Sequence, residues 1–260
     1  MSLRSPTAIL EAACNAGCAK AGLRAPRLAC LGFLGGAYVA FGGLLALVVG
    51  RGSPALAEAN PGLAQLLFGA AFPLGFILVV VAGGELFPDS CGVITPACLT
   101  GAARWNALLR NWVFVYIGNF VGSVFVALFL AYWSGLVNGG MLGDASAAIA
   151  EAKVNIGFFP ALLRGIGCNW LVCLAVWMAI AADNIAGKIL AIWWPIMAFV
   201  ALGLEHSIAN MFFIPLGMFN GANVSLGQFL FSNLLPVTIG NIIGGAGFVG
   251  AVYWWIYGRD

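Results

Sequence analysis

The stretch Val200-Ala-Leu-Gly-Leu-Glu-His-Ser-Ile-Ala-Asn210 sets a glycine, a carboxylate and the chain's single histidine in the middle of apolar sequence. On its N-terminal side, Lys188 to Gly203 supplies only 16 residues, fewer than the ~20 that a helix needs to cross a bilayer. On its C-terminal side, no residue from His206 to Gly258 carries a formal charge. The stretch therefore reads as a break inside a membrane-spanning segment. The remainder of that segment follows it, and one full span runs from about Phe229 to Tyr257.

The rest of the chain agrees. Of its 260 residues 62% are hydrophobic and 8% charged, with a mean hydropathy of +1.02, whereas soluble domains carry roughly a quarter charged residues. So few charges cannot solvate a globule, which excludes a soluble enzyme. A net charge of +2 excludes a nucleic-acid partner. Charge-free runs of 23 residues between Arg27 and Arg51 and 26 between Glu58 and Glu85 each suffice for a span. A third runs from Asn111 to Gly143, and a fourth from about Phe158 to Ala182 is interrupted by Arg164. Six crossings are predicted, the second and fifth broken. The fold class is an all-α polytopic membrane protein.

Residues 1–27 hold no cleavable signal peptide, because their only apolar run is Ala8 to Leu10. Ser5-Pro6 as cap and first helical residue, with Gly22 as stop, predicts a surface helix. Residues 28–260 form a single transmembrane domain. Six crossings put both termini on one face, where Arg4, Lys20, Arg24, Arg27, Arg104, Arg110, Lys188 and Arg259 lie; Arg51 and Lys153 lie on the other. The positive-inside rule makes the terminal face cytoplasmic and the protein a multi-pass component of the cell membrane.

A repeat is visible. Asn111-Trp-Val-Phe-Val-Tyr-Ile-Gly-Asn119-Phe-Val-Gly122 resembles Asn233-Leu-Leu-Pro-Val-Thr-Ile-Gly-Asn241-Ile-Ile-Gly244 at an offset of 122, and Gly83-Gly-Glu85 matches Gly203-Leu-Glu205 at 120. The halves, about 28–140 and 155–258, contain three crossings each, so they insert with opposite orientation. Inverted repeats with broken segments at matching positions point to a transport site near the midplane. The glycines at 118, 122, 240 and 244 read as close-packing faces, and Asn119 and Asn241 as cross-helix hydrogen-bonding residues.

Ionisable groups at membrane depth mark a pathway or a pair. Glu85 and Glu205 adjoin the breaks and are expected to accept unwound backbone N–H groups. His206, whose counterpart is Leu86, is expected to be a pore-facing donor. Asp89 and Arg164 are expected to form an ion pair.

Gly84-Glu-Leu-Phe87, Arg110 before Asn111-Trp with Tyr116-x-Gly-Asn119, Asn169-x-x-Val-Cys-Leu-Ala-Val-Trp177, Glu205-His-Ser-Ile-Ala-Asn-Met211 with Pro215-x-Gly-Met218, and Leu235-Pro-Val-Thr-Ile-Gly-Asn241 resemble the formate/nitrite transporter family, in family order from about Glu11 to Tyr257. The resemblance implies an aquaporin-like fold, a homopentamer with one pore per protomer, and no cofactor. It implies facing loops at about Gly84–Val93 and Gly203–Asn210, with His206 central and Asn169 and Asn210 near it. Phe72 and Phe199 would form the outer constriction, and Phe76, Leu86 and Phe87 the cytoplasmic slit. Lys20 would stand in the inner vestibule and Lys153 in the outer one. Two residues depart from the family pattern: Pro88 replaces the usual Thr, leaving Ser90 or a loop amide to face His206, and Phe76 replaces a smaller aliphatic residue.

These residues suit small weak-acid anions, formate first, with nitrite or hydrosulfide as alternatives. A bare carboxylate is costly to desolvate, but an acid that takes up a proton crosses neutral. His206 could donate that proton, hydrogen-bond the carboxylate, or relay from water. A membrane thiol enzyme is the competing class, its only candidates being the seven cysteines. Cys14-x-x-x-Cys18 has no nearby histidine, so no metal site is expected. A structural scaffold would explain the glycines but not the paired breaks.

Overall fold

The computed structural model describes residues 4–258, all helix and loop among them; Arg259, counted above in the charge balance, lies outside. Residues following Ser5 are helical: α1 (Pro6–Gly22) is capped by Ser5, whose Oγ accepts the Ala8 N–H at 3.3 Å. The uninterrupted apolar helices are α2 (Ala25–Arg51), α6 (Trp105–Trp133), α8 (Phe158–Ala181) and α11 (Gln228–Tyr257). A short helix, α3 (Pro54–Ala59), leads into α4 (Pro61–Gly83), which is followed after a break by α5 (Phe87–Leu99). Likewise α9 (Ile185–Ala201) is followed after a break by α10 (Ser207–Phe219), while α7 (Gly140–Val154) joins the two halves. Five of these helices (α2, α4, α6, α8 and α11) are long and apolar enough to cross a membrane, and α9 and α10 are shorter apolar helices on either side of a break. On α6, Leu109, Val113, Ile117 and Val121 repeat every fourth residue and each is more than half exposed, a stripe that only lipid or another protomer can cover.

Each break begins at a glycine in the left-handed region, Gly83 at φ +94° and Gly203 at φ +71°, the conformation that stops a helix at little cost only when Cβ is missing. The unwound stretches are shorter than predicted. At the two breaks Gly84–Leu86 and Leu202–His206 are non-helical, and helix resumes at Phe87 and Ser207. Pro88 does not delay the restart because a first-turn residue has no N–H obligation within the helix.

The repeat extends to how the helices meet. A Cβ on Gly118 of α6 would lie 2.6 Å from the Ala29 carbonyl of α2, and one on Gly32 would lie 2.8 Å from the Val115 carbonyl. In the second half Gly165 of α8 meets the Val237 carbonyl of α11 at 2.8 Å, and Gly240 meets the Leu162 carbonyl. The same four positions recur, shifted by 133 residues on one helix and 122 on the other. Backbone thus lies on backbone, and any side chain there must push the helices apart. Gly118→Val is expected to cost about 1–3 kcal/mol or more by overpacking. Gly247→Ala, at a site with open space, serves as control. Equal melting temperatures of the two variants in detergent would refute this reading of the seam.

Candidate pore site

Unwound residues in a membrane leave backbone groups that water cannot reach. In the first half one amide ties the break to its neighbours. Asn119 Nδ2 donates to the carbonyls of Gly32 (2.7 Å) and Glu85 (2.8 Å), and its Oδ1 accepts the Phe87 N–H at 3.0 Å. In the second half Asn241 does the same with Gly165 (2.9 Å), Glu205 (3.0 Å) and the Ser207 N–H (2.9 Å). The N–H groups of Glu85 and Glu205 donate to the carbonyls of Leu31 and Arg164. The asparagines are cross-helix residues as expected. The glutamates are not the acceptors of unwound N–H groups.

The glutamate side chains pair with lysines instead. Lys20 Nζ donates to Glu85 Oε2 at 2.9 Å, and Lys153 Nζ to Glu205 Oε1 at 2.8 Å. The surroundings match as well: Asn111 and Asn233 donate to the carbonyls of Lys20 and Lys153, and Ser90 Oγ and Asn210 Nδ2 donate to Glu85 and Glu205. Lys20 also donates to Asp89 Oδ2 at 3.0 Å. Burial works against the charge on Lys20, but Asp89 and then Glu85 outweigh it, so its pKa stands above the ordinary lysine value.

The predicted Asp89–Arg164 pair does not form. Asp89 pairs with Lys20 because α1 lies directly against α5, where a Cβ on Gly17 would meet the Val93 carbonyl. Arg164 lines a cavity on the far side of the breaks.

That cavity, of about 280 Å³, opens on the face opposite α1 and reaches His206, Asn210 and Glu205 at the second break. Aromatic rings line it. Phe72 and Phe199 meet edge-on at 5.8 Å between centroids, Phe72 stacks with Phe213 at 6.4 Å, and Phe199 stacks on the His206 ring at 5.6 Å. His206 is the N-cap residue of α10: its Nδ1 accepts the Ala209 N–H at 3.0 Å. An accepting Nδ1 assigns the proton of the neutral ring to Nε2.

The remaining expected residues are placed as follows. Phe76 and Leu86 are buried near the first break, at 2% and 0% exposure. Phe87 packs edge-on against Trp112 (5.7 Å) and Tyr116 (4.9 Å) of α6 and lines an apolar groove with residues of α6 and α11. Asn169 donates to the carbonyls of Pro88 (3.0 Å), in the first turn of α5, and of Asn241 (2.6 Å). All seven cysteines are free thiols. Arg51, counted in the sequence only in the charge balance, and Gln65 line the cavity, with Arg51 Nη2 donating to Gln65 Oε1 at 2.9 Å and standing over the Phe68 ring. The lysine–glutamate pairs were also missed, although Lys20 and Lys153 stand at the helix-seam offset of 133.

The chain matches the formate/nitrite transporter family over residues 7–255 and belongs to it. A "Probable formate transporter" of Methanothermobacter thermautotrophicus is 50% identical over 245 residues, covering 88% of each chain. Among solved structures, one described as "FNT family ion channel" superposes with a TM-score of 0.86 at 32% identity, covering 95% of this chain and 98% of its own. Another, "Pentameric formate channel with formate bound", gives 0.77 at 36%, covering 90% and 98%. The family and these neighbours are channels or transporters, not enzymes, and the chain is a multi-pass membrane protein.

Removing one member of a buried ion pair strands the other charge. Lys153→Met is expected to destabilise the protein by roughly 3 kcal/mol, less a small contribution from the Asn210 and Asn233 amides that remain on Glu205. The double variant Lys153→Met/Glu205→Gln should recover most of this in thermal unfolding; no recovery would show that the two side chains act independently.

Proposed function

We propose that the chain conducts small monovalent weak-acid anions, formate first, through a path in each protomer of a homopentamer, with both termini cytoplasmic. His206 carries this reading: it lies at a helix break, at the floor of a cavity, beneath an aromatic neck, with one nitrogen fixed as acceptor and the other left as donor. A pentameric relative with formate bound, and a relative described as a formate transporter, support the permeant and the assembly.

Of the three roles open to the histidine, the geometry favours hydrogen-bond donation. Protonating Nδ1 would displace the Ala209 N–H and uncap α10. The ring therefore stays neutral and offers Nε2–H to the carboxylate, while the proton that neutralises the acid enters from water. Phe72 and Phe199 exclude that water from the neck, where the bare anion is least favourable. Nitrite and hydrosulfide, also conjugates of weak acids, meet the same chemistry, and competition in the same vesicles ranks the three.

Two measurements test this. In proteoliposomes, His206→Phe is expected to lower formate flux at least tenfold, about 1.4 kcal/mol or more in the barrier. His206→Asn, which keeps both a cap and an N–H donor, should retain an intermediate flux with the wild-type dependence on pH. Full flux through the Phe variant would end the proposal for His206. Separately, Phe199→Ala should admit acetate and lactate more readily than the wild type does; unchanged selectivity between formate and lactate would remove Phe199 from the constriction.

A further inference from the structure

The lysine–glutamate pairs make the two ends of the path look electrostatically alike, but their neighbours do not match. In the outer cavity Lys153 is balanced by Glu205, and two more cations line the wall. Arg51 is anchored through Gln65, which donates in turn to the Val200 carbonyl at 3.0 Å, and through the Phe68 face at 5.2 Å. Its other guanidinium N–H groups have no partner among the described residues. Arg164 has no side-chain partner among the described residues, and only its backbone carbonyl is used, by Glu205. Three cations therefore face one carboxylate.

At the inner break the balance reverses. One ammonium, Lys20, is shared between two carboxylates, Glu85 and Asp89. Asp89 is 5% exposed, and its Oδ1 has no hydrogen-bond partner. Its counterpart at the offset of 120 is Ala209, which lines the outer cavity, so the same turn of α5 faces the inner approach. A further cation beside the end of α1, Arg110, is occupied by the carbonyls of Ala21 and Leu23.

We infer that Arg51 and Arg164 form a binding station for a small monovalent carboxylate in the outer cavity, and that Asp89 denies the inner approach an equivalent one. The protein then binds its permeant better from the outer face. This rests on the transport reading above. Because a passive path gives equal kcat/KM in both directions at zero gradient, the asymmetry falls on KM: lower from outside, with a proportionately lower kcat. Focusing of field lines by a cationic cavity raises the local anion concentration, and salt weakens the effect over a Debye length of about 10 Å at 0.1 M.

The test is formate flux in vesicles holding the full chain in one orientation, with formate added to either side. Outer KM should be several-fold lower than inner KM, and the difference should shrink at high ionic strength. Arg51→Gln and Arg164→Gln should each raise outer KM about fivefold, the effect of one unit charge a few ångströms from an anion in a wet vestibule, and leave inner KM unchanged. Asp89→Asn should lower inner KM alone. Arg104→Gln, an exposed charge on the terminal face, should change neither, and assembly by size exclusion confirms that each variant is folded. Equal KM values on both sides of the wild type, or arginine variants with wild-type outer KM, overturn this inference while leaving the transport reading intact. No formate flux through the wild type would strike the transport reading itself.

Discussion

A backbone amide has no solvent inside a bilayer, and this chain unwinds there twice. Each break leaves a glutamate carbonyl and the first N–H of the helix that follows to be bonded by protein, and the neighbouring helix presents a further carbonyl beside them. A single asparagine side chain, with one accepting oxygen and two donating hydrogens, meets that requirement in each half: Asn119 at the first break and Asn241 at the second. Everything else at the site depends on these amides. They hold the restart of α5 and α10 in place, and with it the loop positions that carry Leu86 and His206. The glycine seams matter for the same reason, because only helices packed backbone to backbone bring Asn119 within reach of Gly32, and Asn241 within reach of Gly165.

The repeat supplies the scaffold and its departures supply the chemistry. Lysine, glutamate and asparagine recur in register around both breaks. Histidine replaces leucine at position 206, and aspartate replaces alanine at position 89 relative to 209. A subtler departure lies between the half-helices. The Pro88 carbonyl is held by Asn169, and the matching Ile208 carbonyl is reached by Ser123 at 3.5 Å; the positions matched to Asn169 and Ser123 are Gly36 and Gly245. Each half thus tethers the other's half-helix with a different residue, so the two breaks are fixed relative to one another and not merely within their own halves.

Most of the architecture was legible as arithmetic on charge-free runs, and the site as the few residues that interrupted them. The breaks were readable from Gly-x-Glu, because a glycine and a carboxylate have no other reason to recur in apolar sequence. Their length was not, since Pro88 and Asn210 read equally well as loop or as the first turn of a helix. The partner of Asp89 was not legible either. It depends on α1, a helix whose docking rests on one missing side chain at Gly17 and leaves no periodic apolar signal. Arg51 and Arg164 lie far apart in sequence and share a cavity only through the folding of α2, α4 and α8 around it. The aromatic neck came from the resemblance to a family, since nothing in the spacing of Phe72 and Phe199 distinguishes them from the chain's other phenylalanines.

The cap that His206 makes for α10 also fixes what the ring can say to anything that reaches it. With Nδ1 occupied by the Ala209 N–H, the imidazole cannot turn over without unpinning the helix that follows. It therefore presents a hydrogen and never a lone pair. Under the function proposed above, a formate oxygen finds a partner at that point, while an ammonium ion, which has only hydrogens to offer, finds its own polarity returned. One structural hydrogen bond, made for the sake of a helix end, thereby gives the floor of the cavity a sign.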